Sequence, residues 1–379
     1  MNFIEEFYKG QKEKNKGLYM GEGLDNISRA INGVQRHRIY GIASAPKIGK
    51  STFADYGFVI SPYLNWITNR PDLEVEWIYF SFEIDRVSKE FDFASYFLYN
   101  DYGIEKVILD EGSVIINGQQ RNTIDLSPDY LRGRMLDSKG NIIRVKQSIL
   151  DALKEVYSNR IIPLFGEYST TGSLLTHGKI TFIEQKENPT GLYKYLMNKA
   201  SKEGEFIYRH FGEGGKKITG YKPNNPNKIT IIIIDHLRKL PKERGFTIKE
   251  TVDKMVEYCV DLRNWCDYTF GLIIHTNRSI TDVDRMRYAK DELYPTSEDV
   301  KDTGNLAEDS DYMFTIFNPN DEKYHLNKHF GVIIKDKNGN PLYPDMRTIH
   351  LVESRHTFYP QHFRTNMRGN LKMFENLKI

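Results

Sequence analysis

Cysteine is scarce: the 379 residues include two, Cys259 and Cys266, and both fall in one predicted helix. That excludes a disulfide framework and a cysteine-based zinc site, and makes a reducing cytoplasm the expected compartment. No run of about 18 apolar residues exists, so no segment reads as a membrane span. Residues 1–16, MNFIEEFYKGQKEKNK, are charged rather than signal-like. The formal net charge is only +2, which excludes a strongly basic protein but leaves room for a local nucleic-acid patch. No internal repeat is visible. What remains is an ordinary soluble composition, 39% hydrophobic and 27% charged. The length suits two average domains or one large α/β domain with insertions.

The most informative stretch is RIYGIASAPKIGKSTF, residues 38–53. Ile39, Tyr40, Ile42 and Ala43 read as a short buried strand, SAPKIGKS as a turn, and Thr52 onward as a helix. Strand, small-residue loop, Gly-Lys-Ser and helix is the layout of a phosphate-binding loop. Unpaired N–H groups at a helix N-terminus and the helix dipole both favour an anion there. Gly49 lets the backbone approach a phosphate, Lys50 reaches the terminal phosphates, and the Ser51 hydroxyl can ligate Mg²⁺. The candidate nucleotide-binding residues are therefore Ser44, Ala45, Pro46, Lys47, Ile48, Gly49, Lys50, Ser51 and Thr52. The expected ligands are ATP and Mg²⁺. Ser44 stands where glycine or alanine is more usual.

Along the chain, residues 1–16 suit a short linker-like amphipathic helix with a lysine-rich end. Buried strands are expected at 75–82, 180–183, 229–234 and 270–274, and later strands at 312–317, 330–334 and 348–352. The isoleucines at 231–234 lie in a run without alternation, which suits a strand covered on both faces of a parallel sheet. Helices are expected at 86–99, 145–157, 192–202 and 248–267, with Asn188-Pro189-Thr190 as a helix start. Residues 101–178 are irregular, with a short β-like run at 107–116. The stretch 204–227, rich in Gly, Lys, Asn and Pro, reads as a mobile loop. Residues 277–305 read as a long polar connection and 357–379 as a tail. Alternating strands and helices predict an α/β fold with a mostly parallel sheet and antiparallel edge strands.

Glu83, Asp235 and His275 sit just past the C-terminal ends of predicted strands, where open α/β sheets bind ligands. Asp235 suits the Mg²⁺-associated carboxylate. Glu83 suits the base that activates water, and His275 a sensor of the γ-phosphate.

These segments together resemble the C-terminal RecA-like motor domain of DnaB-type replicative helicases and their bacteriophage relatives, from about residue 17 to 356. Residues 23–52 are similar to the family's entry segment and Walker A motif. YFSFE, ending at Glu83, resembles the motif with the catalytic glutamate, and IIIIDHL resembles Walker B, with Asp235 as its carboxylate. IIHTNR, residues 273–278, matches the sensor strand. DVKDTGNLAEDSD, residues 299–311, resembles the loop that faces a central channel. VESRH, residues 352–356, falls where the family places a basic pair that reaches a neighbouring subunit's nucleotide.

The resemblance implies a RecA-like core with insertions near 101–178 and 204–227. It implies an ATP hydrolase working as a hexameric ring on single-stranded DNA, in the cytoplasm of a host if phage-encoded, with a primase or helicase loader as possible partner. Lys50, Glu83, His275 and Arg355 would be its catalytic residues. Ser51 and Asp235 would hold the metal, and Lys301, Asp302 and Gly304 the DNA. Arg278, Arg285, Arg287 and Lys290 would add positive charge nearby. The chain departs from the pattern at His275, in place of glutamine, at Lys301, in place of arginine, and at Glu353, in place of a second basic residue. A counterpart of the family's N-terminal helical domain is not expected within these residues. Two alternatives stay open: a RecA/RadA-like recombination ATPase, and a weakly hydrolysing assembly or loader protein.

Overall fold

Successive residues of a strand point to opposite faces, so an unbroken apolar run is stable only where both faces are covered. In the computed structural model Ile231 and Ile233 enter one hydrophobic core and Ile232 and Ile234 the other. Each buried isoleucine contributes roughly 1.5–3 kcal/mol. The structure describes residues 17–378 except 110–112, 117–118, 212–214, 278 and 304. The helix expected over 1–16 lies outside the described residues, as do Arg278 and Gly304.

The two cores flank a nine-stranded sheet. We number its strands in chain order: β1 (Ile39–Ser44), β2 (Glu74–Ser81), β3 (Ile180–Ile183), β4 (Lys228–Asp235), β5 (Thr269–His275), β6 (Tyr312–Phe317), β7 (Met346–Ser354), β8 (Gln361–Arg368) and β9 (Met373–Glu375). The spatial order is β3-β2-β4-β5-β1-β6-β7-β8-β9. The six strands from β3 to β6 run parallel, and β7, β8 and β9 add on antiparallel. One core packs the helix that follows β1 and the helix Arg86–Tyr102, through Phe53, Phe58, Phe93 and Phe97. The other packs the helices Pro189–Glu203 and Ile248–Cys266, through Leu192, Leu196, Met255, Cys259 and Leu262. Both helix starts are capped: Asn188 accepts from the Gly191 N–H at 2.8 Å, and Thr247 and Glu250 form a capping box. Among the described residues no helix is long and apolar enough to cross a membrane.

Three expectations are corrected. The stretch 204–227 is not a loop but an antiparallel hairpin, Gly204–Phe211 against Gly215–Pro223. Phe206 and Tyr221 face each other across it with ring centroids 5.1 Å apart. The Tyr221 hydroxyl donates to the Ala200 carbonyl at 2.8 Å, so the hairpin base is fastened to the second core. The β-like run at 107–116 divides between two small hairpins, Lys106–Ile108 with Thr123–Asp125 and Val114–Ile116 with Gln119–Arg121. Residues beyond 356 are not a tail. They supply β8 and β9, and Met367, Leu371 and Phe374 sit in the first core.

Candidate functional site: the carboxyl edge of the parallel strands

Parallel pairing brings the C-terminal ends of β1, β4, β5 and β2 to one edge. Ser44 lies opposite His275, and Asp235 opposite Ser81. The Phe82 N–H donates to the Asp235 carbonyl at 2.8 Å, which carries the pairing on to the turn that bears Glu83. Sequence-distant Glu83, Asp235 and His275 thus meet beside the loop after β1.

That loop turns through two residues with positive φ, Lys47 at 64° and Gly49 at 116°. Gly49 suits that left-handed conformation, and a Cβ there would sit 2.2 Å from the Met367 sulfur, so that side chain would have to shift. The first helical bond runs from the Phe53 N–H to the Gly49 carbonyl at 2.8 Å. The helix starts as Lys50–Ala54, widens to a π-helical stretch at Asp55–Ile60 and continues as Ser61–Asn69. Its first N–H groups therefore have no intrahelical partner and point into the loop.

Lys50 is only 7% exposed. Burial lowers its pKa, and the Asp235 and Glu83 carboxylates oppose the shift. Burial likewise raises the pKa of Asp235, opposed chiefly by Lys89, Lys50 and the Ser51 hydroxyl and reinforced by Asp55. Among the described residues the Oδ1 atom of Asp235 is buried without a hydrogen-bond partner. Glu83 is about one-third exposed, with its carboxylate 3.7 Å from Lys239 Nζ. His275 Nδ1 lies 3.3 Å from the Ser44 carbonyl. Its ring packs against that of His236 at a centroid distance of 4.2 Å. Burial lowers both imidazole pKa values, that of His236 to about 2, so both rings are neutral at neutral pH. A neutral His275 that donates from Nδ1 to the carbonyl keeps Nε2 as an acceptor.

Residues not expected from the sequence complete the surroundings. Arg347, at the start of β7, is partly buried and donates from Nε to the Ile48 carbonyl at 3.2 Å, in the middle of the loop. Beneath the helix, Lys89 Nζ lies 2.8 Å from Asp55 Oδ2 and 3.2 Å from the Tyr79 hydroxyl, which donates to Asp55 Oδ1 at 2.8 Å. Lys89 and Asp55 are both buried, with side-chain exposures of 0% and 2%. Only His236 had a local signal, its adjacency to Asp235.

The buried pair ties the helix after the loop to the helix after Glu83. Lys89→Met should cost about 3–5 kcal/mol in urea unfolding, because it strands the Asp55 carboxylate in the core. Adding Asp55→Asn should recover part of the loss. No recovery would mean that packing, rather than charge pairing, dominates there.

Arg355 lies elsewhere. It follows the C-terminal end of β7, which runs antiparallel to β6, and its N–H donates to the Asp311 carbonyl at 3.1 Å. Asp311 in turn binds the start of β1, its Oδ2 accepting from the Ile39 N–H at 2.8 Å. Arg355 is therefore at the opposite edge of the sheet from Ser44, five residue steps or about 17 Å along β1. The Glu353 carboxylate accepts a hydrogen bond from the Tyr359 hydroxyl.

The expected cationic surface after β5 is also corrected. Arg285 forks onto the buried Asp299 carboxylate at 2.7 and 2.8 Å and donates to the Tyr294 carbonyl, so its charge is used internally. Arg287 remains on the surface. The side chains of Lys301 and Asp302, like Gly304, lie outside what the structure describes.

A six-stranded parallel core with a loop of this geometry after its central strand, extended by antiparallel edge strands, is the RecA-like fold of helicase ATPase domains. A solved structure described as an ATPase domain superimposes with a TM-score of 0.61 at 12% identity, over 99% of this chain and 97% of that one. The structure of a DnaB-like replicative helicase and its interactions with primase gives 0.62, also at 12% identity, over 100% of this chain and 68% of that chain. No family model matches the sequence, and no curated protein matches it. At this identity the likeness is one of fold.

Proposed function

We propose that the chain is an ATP-hydrolysing motor subunit of the DnaB type that moves along single-stranded DNA as a ring. The observation that carries this reading is the partnerless Asp235 oxygen beside Lys50 and Ser51. A buried carboxylate oxygen without a partner is costly, and a hydrated Mg²⁺ at the Ser51 hydroxyl is the ligand whose chemistry answers it. The residues present fit the group. Ser51 and Asp235 would hold the metal, which when bound neutralises phosphate charge. The amides of 45–51 and the Lys50 ammonium would bind the ATP phosphates. Arg347 holds the loop in shape through the Ile48 carbonyl.

Glu83 is the base for the attacking water: it is partly exposed and can accept a proton at the loop mouth. His275, neutral and with Nε2 as acceptor, suits a hydrogen bond from that water better than direct donation to phosphate. Arg355 serves another subunit, because about 17 Å of strand separates it from its own loop. The site is then complete only between two copies, which favours an oligomer over a monomeric enzyme. Lys301, Asp302 and Gly304 would contact the DNA backbone without reading sequence.

The test is ATP-dependent displacement of a strand from forked DNA. Displacement that requires Lys50 supports the reading, whereas ATP turnover without displacement would favour a recombination ATPase. Neither turnover nor displacement would favour an assembly protein. Lys301→Ala should weaken single-strand binding about equally across sequences and reduce the salt slope by about one phosphate contact. An unchanged slope would remove Lys301 from the track.

A further inference from the structure

Lys89 is fully buried, with 0% exposure, and the motor reading gives it no task. Burial opposes its charge, yet the Asp55, Asp235 and Asp92 carboxylates outweigh burial and raise its pKa above the ordinary lysine value, so it is an ammonium at neutral pH. Of these three, Asp92 has a second cation, Lys372 Nζ at 3.5 Å. Asp55 holds Lys89 directly, at 2.8 Å. Asp235 is the carboxylate that remains.

The backbone places this ammonium beneath the metal residues. Asp55 lies one turn after Ser51 on the same helix, its N–H donating to the Ser51 carbonyl. Tyr79, the other group that touches Lys89, pairs across the sheet with Ile233 on β4. Both enter the first core, and the next pair on that face, two residues on, is Ser81 with Asp235. The Asp235 carboxylate also accepts from the Ser51 hydroxyl. The Lys89 cluster therefore sits one helical turn below Ser51 and one strand repeat, roughly 7 Å, below Asp235. Among the charges acting on Asp235, Lys89 outweighs Asp55 and Lys50. Packing alone does not call for these charges, because a buried ion pair gains little over apolar residues of the same volume.

We propose that Lys89 is a resident cation for the metal residues and that Asp55 positions it, the two together setting how tightly Ser51 and Asp235 take a divalent cation. The Lys89 charge offsets Asp235 and weakens its pull on a divalent cation. Asp55 opposes the Lys89 charge and restores part of that pull. Lys89 acts through Asp235 and is a positioning residue. This inference rests on the motor reading for one thing, the assignment of Ser51 and Asp235 to the metal.

The test titrates Mn²⁺ into the full chain without nucleotide and reads the free ion by electron paramagnetic resonance. Asp55→Asn leaves the Lys89 charge unopposed at that position. It should weaken Mn²⁺ binding about tenfold, the order expected for a unit charge acting on a divalent ion at this separation. Lys89→Met added to Asp55→Asn removes that charge and should bring the affinity back to the native value or above it. A purely structural role predicts the reverse order, because each lost partner would loosen the site further. A double variant that binds no better than Asp55→Asn alone would therefore overturn the proposal. If Asp55→Asn does not fold, the double variant is compared with the native chain, and an affinity below native overturns the proposal. Asp235→Asn separates this idea from the motor reading. Mn²⁺ binding that survives Asp235→Asn overturns the metal assignment, and with it the observation on which the motor reading stands. Binding that is lost in Asp235→Asn but indifferent to Lys89 overturns the resident cation only.

Discussion

Arg355→Ala should slow ATP turnover by about 10³–10⁵ while leaving ATP affinity close to native. The charge argument comes first. A transferring phosphoryl group spreads negative charge over its oxygens, and on the proposed reading Lys50 with a bound metal would cover only part of it. An arginine supplied from outside completes the cover. On the proposed reading that arginine is Arg355, which follows β7, an element nine residues long whose other end carries Arg347 against the loop. One strand thus contacts the loop at one end and leads into Arg355 at the other. Affinity should survive because the contacts of the loop, Lys50 and Asp235 lie within the chain. Arg355→Lys should recover little, since an ammonium lacks the planar fork of donors. Steady-state turnover and fluorescent-nucleotide titration, run on the same preparations, check both halves. Native turnover in Arg355→Ala would count against any trans role.

Glu83→Gln should trap ATP. The substitution is nearly isosteric, so the loop and metal residues remain in place, but the amide cannot take a proton. The expected loss is roughly 10²–10⁴ in rate. Glu83 sits past the end of β2, on a turn fastened to β4 by the Phe82-to-Asp235 bond, so its placement does not depend on its own charge. Its Lys239 neighbour, at 3.7 Å and mostly exposed, is too loosely held to matter for the fold. Nucleotide recovered from the purified variant should be ATP, whereas the native protein should release ADP. Native-rate hydrolysis by Glu83→Gln would assign the base elsewhere. Lys50→Ala should abolish turnover by a different route, by removing a charge-assisted phosphate contact.

The parallel core was legible in the sequence because its signals are local. The isoleucine run that ends at Asp235 can be stable in few other settings, and a Gly-Lys-Ser turn between strand and helix has a specific backbone requirement. What the sequence concealed depends on distant parts of the chain meeting. Arg347 lies 299 positions from Ile48, and only the antiparallel return of β7 brings the two together. Met367 reaches Gly49 through β8, whose residues QHFRTNMR are too polar to announce a sheet strand. The hairpin at 204–223 was hidden by its glycines and lysines, although Phe206 and Tyr221 carry its attachment. Arg285 illustrates the opposite error. A row of cations suggested a surface for phosphates, but Asp299, fourteen positions on, takes one of them into a buried fork.

The central claim is that the site is shared between copies, and mixing tests it most directly. Lys50→Ala subunits lack a working loop but keep Arg355, and Arg355→Ala subunits keep the loop but lack the arginine. Each should be inactive alone. Combined, they should recover ATP turnover wherever an intact loop meets an intact arginine, and the recovery should fade on dilution below the assembly concentration. Mixtures as inactive as their components, or native turnover from a strictly monomeric preparation, would contradict the account.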